Sequence, residues 1–248
     1  MHAAFTQSIG SSMTAVPLIP GWYGKLPTLG DFASRRLEPA FIDPWDAWLA
    51  EGIAGLRNQA GESWLDAYLA SPVWRFVLMP GALPGLDTAM GGVLMPSVDR
   101  VGRYFPLTLA APLQNPPTSS AQLEALLGWL HQLDDAAADA LHDDWTVEQL
   151  EAELARLPWD GAPTAPPEGT EALNTVLQGH AQHAVLPHAG RSQFGALIAQ
   201  SAATQWQTAA QGLAFWWADS PDGTPRGLVS RGLPRADGFA ALLGGGAT

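Results

Sequence analysis

The sequence contains no cysteine. This absence excludes disulfide bonds, zinc–thiolate sites and thiol nucleophiles, and it is compatible with a reducing compartment. No stretch approaches the roughly 20 apolar residues of a membrane-spanning helix. The first twenty residues lack a basic start and a long apolar core, so they do not resemble a signal peptide. We therefore expect a soluble, cytoplasmic protein in which residues 1–20 form a disordered N-terminal segment.

Positive charge is scarce as well. The chain has 12 Lys and Arg against 24 Asp and Glu, which gives a formal net charge of -12 at pH 7. Residues 1–110 carry 9 acids and 7 bases, whereas residues 111–248 carry 15 acids and 5 bases. Sites that bind nucleic acid need clustered Lys and Arg. The composition therefore argues against a nucleic-acid partner and favours a protein partner.

The familiar catalytic loops are also missing. A Gly24-Lys25 pair is present, but no Ser or Thr follows the lysine and the phosphate-binding loop spacing is absent. Neither a G-x-G-x-x-G motif nor a G-x-S-x-G nucleophile elbow occurs in the sequence. These absences argue against a nucleotide-phosphate site and against a serine hydrolase.

Two groups of titratable residues remain. His180, His183 and His188 are closely spaced, and an i, i+3 pair of imidazoles is a spacing that metal sites use. The alternative is a polar loop after a helix, and no H-E-x-x-H motif supports metal. The acids of residues 134–160 are scattered and form no calcium-binding loop. They favour a solvated acidic face that steers a basic partner.

What the sequence does contain predicts a large core. Apolar residues make up 47% of the chain, and there are 11 tryptophans. We expect an α/β fold of the α+β-like kind, with a mixed, largely antiparallel sheet of five to six strands and helices packed on its faces. A single domain is predicted over residues 21–243, with a weak internal boundary near residues 114–120 and a tail at residues 244–248.

Local patterns place several elements. Gly91–Val98 and Tyr104–Ala110 are predicted strands of a hairpin with four or five residues between them. Asp43-Pro44 predicts a helix start, and Thr146 with Gln149 predicts a capping box. Adjacent strand residues point to opposite faces. Trp216 and Trp217 therefore predict either helices on both faces of the sheet or one exposed ring.

Four long motifs resemble one family, called TagF or ImpM, whose members are associated with type VI secretion. The motifs are GWYGKLPTLGDFASRRL, FIDPWDAWL, WLDAYLASPVWRFVL and GVLMPSVDRVGRYFPLTLAAPL, which together span Gly21 to Leu113. FWWAD and RGLP–FAALL near the end are similar to the family's ending, while residues 114–190 match only in general character. The resemblance implies a non-catalytic, post-translational repressor that acts through the forkhead-associated scaffold Fha.

The resemblance carries no catalytic residues over, and it implies no cofactor. Candidate contacts to the scaffold are the hairpin tip, with Asp99, Arg100 and Arg103, together with Lys25, Arg35 and Arg36. Arginine is enriched at binding hot spots because its planar fork pairs with carboxylates and stacks on aromatic rings. The alternative is that these arginines form ion pairs within the chain, for example Arg103 with Asp99.

Two other functions stay open on the sequence. One is a small metal-dependent hydrolase or phosphatase modulator that uses His180, His183 and the acidic run. The other is a structural accessory subunit of the secretion machine. Neither has a motif of its own in the sequence. The partner's phosphorylation requirement and the oligomeric state are not predicted by any pattern.

Overall fold

A computed structural model of the chain describes residues 17–114, 116–161, 166–186, 190–219 and 225–244. These residues form a single seven-stranded sheet. Its strands are β1 Gly21–Gly24, β2 Ala33–Arg35, β3 Trp74–Leu78, β4 Ala89–Met95, β5 Leu107–Leu113, β6 Leu213–Asp219 and β7 Pro225–Arg231. The strand order is β2-β1-β5-β4-β3-β6-β7, and every neighbouring pair is antiparallel.

Helices pack on both faces of this sheet. The described helices are α1 Pro39–Ala60, α2 Trp64–Leu69, α3 Ser120–His142, α4 Val147–Leu154, α5 Thr170–Leu177, α6 Arg191–Ala209 and α7 Asp237–Leu243, with a short 3₁₀ turn at Gly61–Ser63. Helices α1, α2 and α7 pack on one face, and α3 and α4 pack on the other. The predicted α/β class and the largely antiparallel sheet are confirmed. Among the described helices, none has the length and apolar character needed to cross a bilayer.

The two faces of the sheet bury different side chains. The face under α1, α2 and α7 is aromatic, and Trp45, Trp74 and Trp216 are almost completely buried there. The opposite face, under α3 and α4, is mainly leucine and alanine. Trp216 lies in the first cluster and Trp217 packs against the second, as the alternation of strand side chains predicts. Helices therefore cover both faces at this strand.

The strand count is one higher than the upper limit predicted from the sequence. The additional strand is β2, which has only three residues and pairs with β1. A strand this short carries almost no alternation in its sequence, so only its partner defines it. The predicted hairpin forms, but its strands end further from the tip than predicted: residues 96–106 separate β4 from β5, and only the Val98–Tyr104 bridge continues the pairing toward the tip. Pro96 and Pro106, which lack the N–H of a ladder donor, lie just outside the strands.

Helix ends follow the predicted chemistry in one case and not in another. The capping box is confirmed: the Thr146 side chain accepts from Gln149 N–H, and the Gln149 side chain accepts from Thr146 N–H. The predicted start at Asp43-Pro44 was wrong, because α1 begins at Pro39 and Pro44 lies inside the helix. Pro39 offers the same fixed φ one turn earlier, so it serves as the initiating proline.

The segments predicted to flank the domain are only partly described. Residues 1–16, Asn115 and residues 245–248 lie outside the described residues. Leu18 lies within the predicted disordered segment, yet it exchanges two backbone hydrogen bonds with Trp159, of 3.1 and 2.8 Å. After the predicted boundary near 114–120, α3 packs on the same sheet as the preceding elements. The sheet thus joins both parts of the chain.

Candidate partner-binding site

The connection between β4 and β5 is a loop with a tightly turned tip. Val98 and Tyr104 form an isolated bridge that narrows the loop. Asp99 N–H donates to the carbonyl of Arg103 at 3.0 Å, and Gly102 N–H donates to the carbonyl of Asp99 at 3.0 Å. Gly102 has φ 80°, a conformation that costs glycine little. The turn therefore holds the two arginines of the tip at defined positions.

The carboxylate of Asp99 organises this tip from its interior. One oxygen, Oδ2, accepts from Lys25 Nζ at 2.8 Å and from Arg103 Nε at 2.7 Å. The other, Oδ1, accepts from the backbone N–H groups of Val101 at 3.0 Å and Arg103 at 2.9 Å. The Asp99 side chain is fully buried and that of Lys25 is 4% exposed. A buried charge of this kind needs several donors, and Asp99 has four.

These donors determine the protonation of Asp99. Burial alone raises the pKa of a carboxyl group, because it disfavours the charged form. Here the hydrogen bonds from Lys25, Arg103 and Val101 outweigh burial and hold the pKa of Asp99 well below its ordinary value. The carboxylate is therefore charged at every physiological pH and acts as a fixed anchor. A group so stabilised in one state is poorly suited to exchange protons as a general base.

A second segment, residues 25–32, is held against the tip. Lys25, the only lysine in the sequence, lies 4.8 Å from the centre of the Phe32 ring in a cation–π contact. Arg100 N–H donates to the carbonyl of Leu29 at 2.9 Å. Arg103 donates to the carbonyl of Gly30 as well. The two loops thus form one surface, which we call the tip surface and define as residues 29–32 and 99–103.

Apolar side chains are exposed on the tip surface beside the arginines. Phe32 is 44% exposed and Val101 is 63% exposed. The inner side of the Phe32 ring packs against Phe105, with the ring centres 4.8 Å apart, and stacks on Tyr23 at 6.1 Å. An aromatic ring held from behind keeps its position without losing entropy on binding. The tip surface therefore combines exposed apolar area with arginine, a composition typical of interaction hot spots.

The base of the loop is fixed by a polar contact in the core. The Ser97 hydroxyl donates to the carbonyl of Lys25 at 2.7 Å. Tyr68, from α2, accepts from Ser97 N–H at 2.9 Å and donates to the Ser97 carbonyl at 3.1 Å. Burial raises the pKa of the Tyr68 hydroxyl, which keeps its proton available for this bond. Ser97 thereby links the two loops to the helical layer.

The structure brings together three of the six predicted contact residues: Lys25, Asp99 and Arg103. The intramolecular alternative holds for Arg103, which pairs with Asp99 while its side chain stays 53% exposed. Arg100 is exposed on the tip itself. Because Lys25 and Asp99 are buried, their direct contact with a partner would require the tip to open. The role of all six residues in binding stays a prediction.

The other two predicted residues lie at the β2 edge of the sheet. Arg35 is exposed on β2, and its side chain donates to the neighbouring carbonyl of Ser34 at 2.8 Å. Arg36, with φ 59°, pairs with Glu151 of α4 and donates to the carbonyl of Pro20. Burial opposes the charge on Glu151, but the hydrogen bonds from Arg36 and Trp22 lower its pKa below the ordinary value. Arg36 therefore ties the sheet edge to α4.

Sequence reasoning missed several residues of this site. Phe32, Ser97 and Tyr68 carried no motif of their own, although all three lie inside the stretches that resemble TagF. Arg75 was missed as well: it lies on β3 and contacts Asp134 at 2.5 Å and Asp219 at 2.9 Å. Its position in a strand of apolar residues was a usable signal, because a buried arginine requires a partner.

The histidines at 180, 183 and 188 and the acids of residues 134–160 were the other two groups considered from the sequence. Within the described ranges, no three His, Asp or Glu side chains are placed to hold a metal ion. His180 and His183 lie after α5, and His188 lies outside the described residues. Of the acidic run, Asp134 forms an ion pair with Arg75 of β3, and Glu151 forms one with Arg36, which directly follows β2. Part of this run thus fastens the helices to the sheet.

Comparison with family models identifies one family. The model of the TagF N-terminal domain, type VI secretion system-associated, matches residues 21–157. This match continues past Leu113 and includes α3 and α4. A crystal structure of PA0076 from Pseudomonas aeruginosa PAO1 is 34% identical, covers 92% of this chain and 96% of its own, and has a TM-score of 0.66. No curated protein sequence matches significantly.

Proposed function

The chain belongs to the TagF family of type VI secretion-associated proteins, and from this membership we propose that it is a non-catalytic, post-translational repressor. In this proposal it works in the cytoplasm and binds a forkhead-associated scaffold of the Fha type. Association with type VI secretion follows from the family. The repressor role and the scaffold are the proposed steps.

The observation that carries the proposal is the preorganised tip surface. Four donors immobilise Asp99, and the turn built on it presents Arg100 and Arg103 beside Phe32 and Val101. A surface already held in one conformation loses little entropy when a partner binds. Arginines on an otherwise acidic chain also mark a local site for an acidic partner surface. These features suit a docking site better than a reaction centre.

Binding represses only if it distinguishes between states of the scaffold. A ligand shifts an equilibrium by no more than its difference in affinity for the two states. In the proposed mechanism, the tip surface binds the scaffold in a conformation that cannot recruit the secretion machine. Covering the assembly surface directly has the same effect, because the bound and assembled states then exclude each other.

The test is a pull-down with a variant that leaves the interior of the tip intact. Arg100→Glu reverses the exposed charge of the tip surface and spares Arg103, whose Nε holds Asp99. We expect scaffold binding to fall by more than about tenfold, since arginine hot spots contribute above about 1.4 kcal/mol. A matched control is Arg191→Glu, which makes the same charge change at another exposed position.

Two outcomes decide the proposal. Equal scaffold binding by the folded tip variant and the wild-type chain removes the tip as the site. Failure of the wild-type chain to bind the scaffold at all overturns the scaffold as the partner. Secretion activity in cells that overproduce each variant then checks the repressor role: we expect the wild type and the control variant to lower it and the tip variant to have no effect.

A further inference from the structure

The two edges of the sheet are built differently. β2 forms one edge with only three residues, and the Arg36–Glu151 pair follows it directly. β7 forms the other edge with seven residues. Short edge strands and edge charges are ways in which proteins prevent unwanted strand pairing. β2 is protected by its length, whereas β7 is long and, among the described strands, pairs only with β6. The charges on β7 are arginines, which oppose pairing with a basic strand but not with an acidic one.

The register shows which backbone groups of β7 are free. Gly232 N–H donates to the Gly212 carbonyl at 2.7 Å, one position beyond the pair of Arg231 with Leu213. Bonding alternates along an antiparallel pair. The N–H and C=O groups of Gly227, Val229 and Arg231 therefore point away from β6. Leu213, the β6 residue opposite Arg231, agrees with this assignment. Its carbonyl points away from β7 and accepts from the N–H of Met79, which directly follows β3, at 2.9 Å.

An apolar patch accompanies this free edge. Val229 lies directly opposite Phe215 of β6, so the two side chains share a face. The Phe215 ring lies 5.8 Å from that of Trp206 on α6. Val229 is 61% exposed and Trp206 is 53% exposed. Exposed apolar area beside an unpaired strand is what strand addition uses: the backbone supplies affinity and the side chains supply specificity.

The charge of the edge indicates which kind of strand fits. The acidic half of the chain, residues 111–248, has five bases, and three of them are Arg226, Arg231 and Arg235. β7 itself contains no acid. If two copies paired antiparallel along β7, the interface would contain Arg226 and Arg231 from each copy and no carboxylate from either strand. Like charges across strands are destabilising, so a second copy is disfavoured and an acidic strand is favoured.

We propose that the outer edge of β7 is a docking site for an acidic, extended segment of a partner protein, which adds to the sheet as an eighth strand. Its apolar side chains contact Val229, Phe215 and Trp206 on one face of the sheet. Its carboxylates lie on the opposite face, beside Arg226, and Arg231 adds positive charge at the end of the edge. This proposal does not depend on the scaffold or on the tip surface, because β7 and β2 are the opposite edges of the sheet.

The test uses fluorescence anisotropy with the full chain and two labelled peptides of about nine residues, long enough to span the edge. One alternates Glu and Val, and the other alternates Lys and Val. We expect the Glu–Val peptide to bind and the Lys–Val peptide to bind at least about tenfold more weakly. Arg226→Glu/Arg231→Glu should reverse the preference. Equal binding of both peptides, or no binding of the Glu–Val peptide, overturns the proposal.

Matched variants at one position test the backbone part. Val229→Pro removes an outward N–H without touching the ladder to β6, whereas Val229→Thr keeps that N–H and nearly the same shape. We expect Val229→Pro to weaken Glu–Val peptide binding about tenfold, because the peptide loses one backbone hydrogen bond to β7. We expect Val229→Thr to change the binding little. Unchanged binding by folded Val229→Pro overturns strand addition.

A second copy as the occupant is tested by light scattering. A dimer of the wild-type chain that Val229→Pro dissociates would overturn the acidic partner. A monomer at the same concentration supports it. If Val229→Pro does not fold, the charge-reversal variant decides the proposal, because Arg226 and Arg231 lie at the surface edge and are outside the core clusters.

Discussion

Two buried cation–carboxylate groups among the described residues differ in how fully their atoms are hydrogen-bonded. At the tip, Lys25 and Arg103 share Asp99, and two backbone N–H groups complete its bonding. On the opposite face of the sheet from the aromatic core, Arg75 of β3 contacts Asp134 and Asp219. Its Nε has no partner among the described residues, and Asp219 is 68% exposed.

This difference in bonding gives the two aspartates opposite protonation behaviour. Burial raises the pKa of Asp134 above its ordinary value, and the charge and hydrogen bond of Arg75 only reduce that effect. At Asp99 the donors outweigh burial, and the pKa is lowered. The number of hydrogen bonds to the charged form therefore decides the direction, not the degree of burial. The tip is a rigid anchor, while the Arg75 group tolerates a change of protonation.

The largest contrast should appear in chemical labelling. Because Lys25 is the only lysine in the sequence and is 3% exposed, an amine-reactive acetylating reagent should leave it unmodified in the native chain. Asp99→Ala removes the acceptor that holds Lys25 and should make it reactive in the folded variant. Mass spectrometry counts the adducts, and urea-unfolded wild type is the control for full reactivity. Rapid labelling of Lys25 in the native wild type would show that the anchor is open.

Removal of Lys25 should be the more damaging of two matched substitutions. Lys25→Met keeps the length of the side chain and leaves Asp99 charged in the interior. Breaking a buried pair in this way lowers Tm by roughly 6 to 12 °C for a domain of this size. Thermal unfolding followed by circular dichroism measures it. A change of less than about 2 °C would contradict an anchoring role.

Arg75→Met is the counterpart on the other face, and its effect should be smaller. Asp219 is mostly exposed and returns to water, while Asp134 takes up a proton more readily because its pKa is already raised. We expect Tm to fall by roughly 2 to 6 °C. The comparison fails if Arg75→Met destabilises the chain more than Lys25→Met in the same buffer.

Acid should act on the two aspartates with opposite signs. The pKa of Asp99 is below its ordinary 3.8, so the stability it contributes is present above pH 3.8 and is lost as the pH falls through the lowered pKa. The pKa of Asp134 is raised above 3.8, so its protonation stabilises the fold as the pH falls through the raised pKa to 3.8.

The measurement is the free energy of unfolding in urea between about pH 3 and pH 7. Relative to the wild type, Asp99→Asn should lose less stability on acidification, and Asp134→Asn should lose more. These changes are the smallest of the set, because each concerns one proton among 24 acids. The same sign for both variants would refute the assignment of opposite pKa directions.

Several elements were predictable because their signals are local. The capping box at Thr146 needs only a residue three positions along, and it was found. The opposite faces of Trp216 and Trp217 follow from strand geometry alone. The short strand β2 and the eleven-residue connection from 96 to 106 were not predicted. Both depend on where a partner strand ends, which no local pattern records.

The candidate site divides in the same way. The arginine tip was identified from composition and from the resemblance to TagF, and Arg103 with Asp99 was foreseen because they are four residues apart. Lys25, which also donates to Asp99, is 74 residues away along the chain. Arg36 and Glu151 are separated by 115 residues. Pairs so far apart in the chain produce no local sequence pattern. Lys25 and Arg36 were therefore predicted to contact a partner, although both pair with acids of the same chain.

By itself, the sequence determined the class of the fold, its family and the chemistry available at the tip, because these depend on residue type and on short-range periodicity. Tertiary structure alone decided which charges are buried and which face outward. Burial depends on how the strands and loops meet, since a charge is tolerated inside only where distant segments bring enough donors to it. At Asp99 they bring four, and this leaves Arg100, Phe32 and Val101 as the surface.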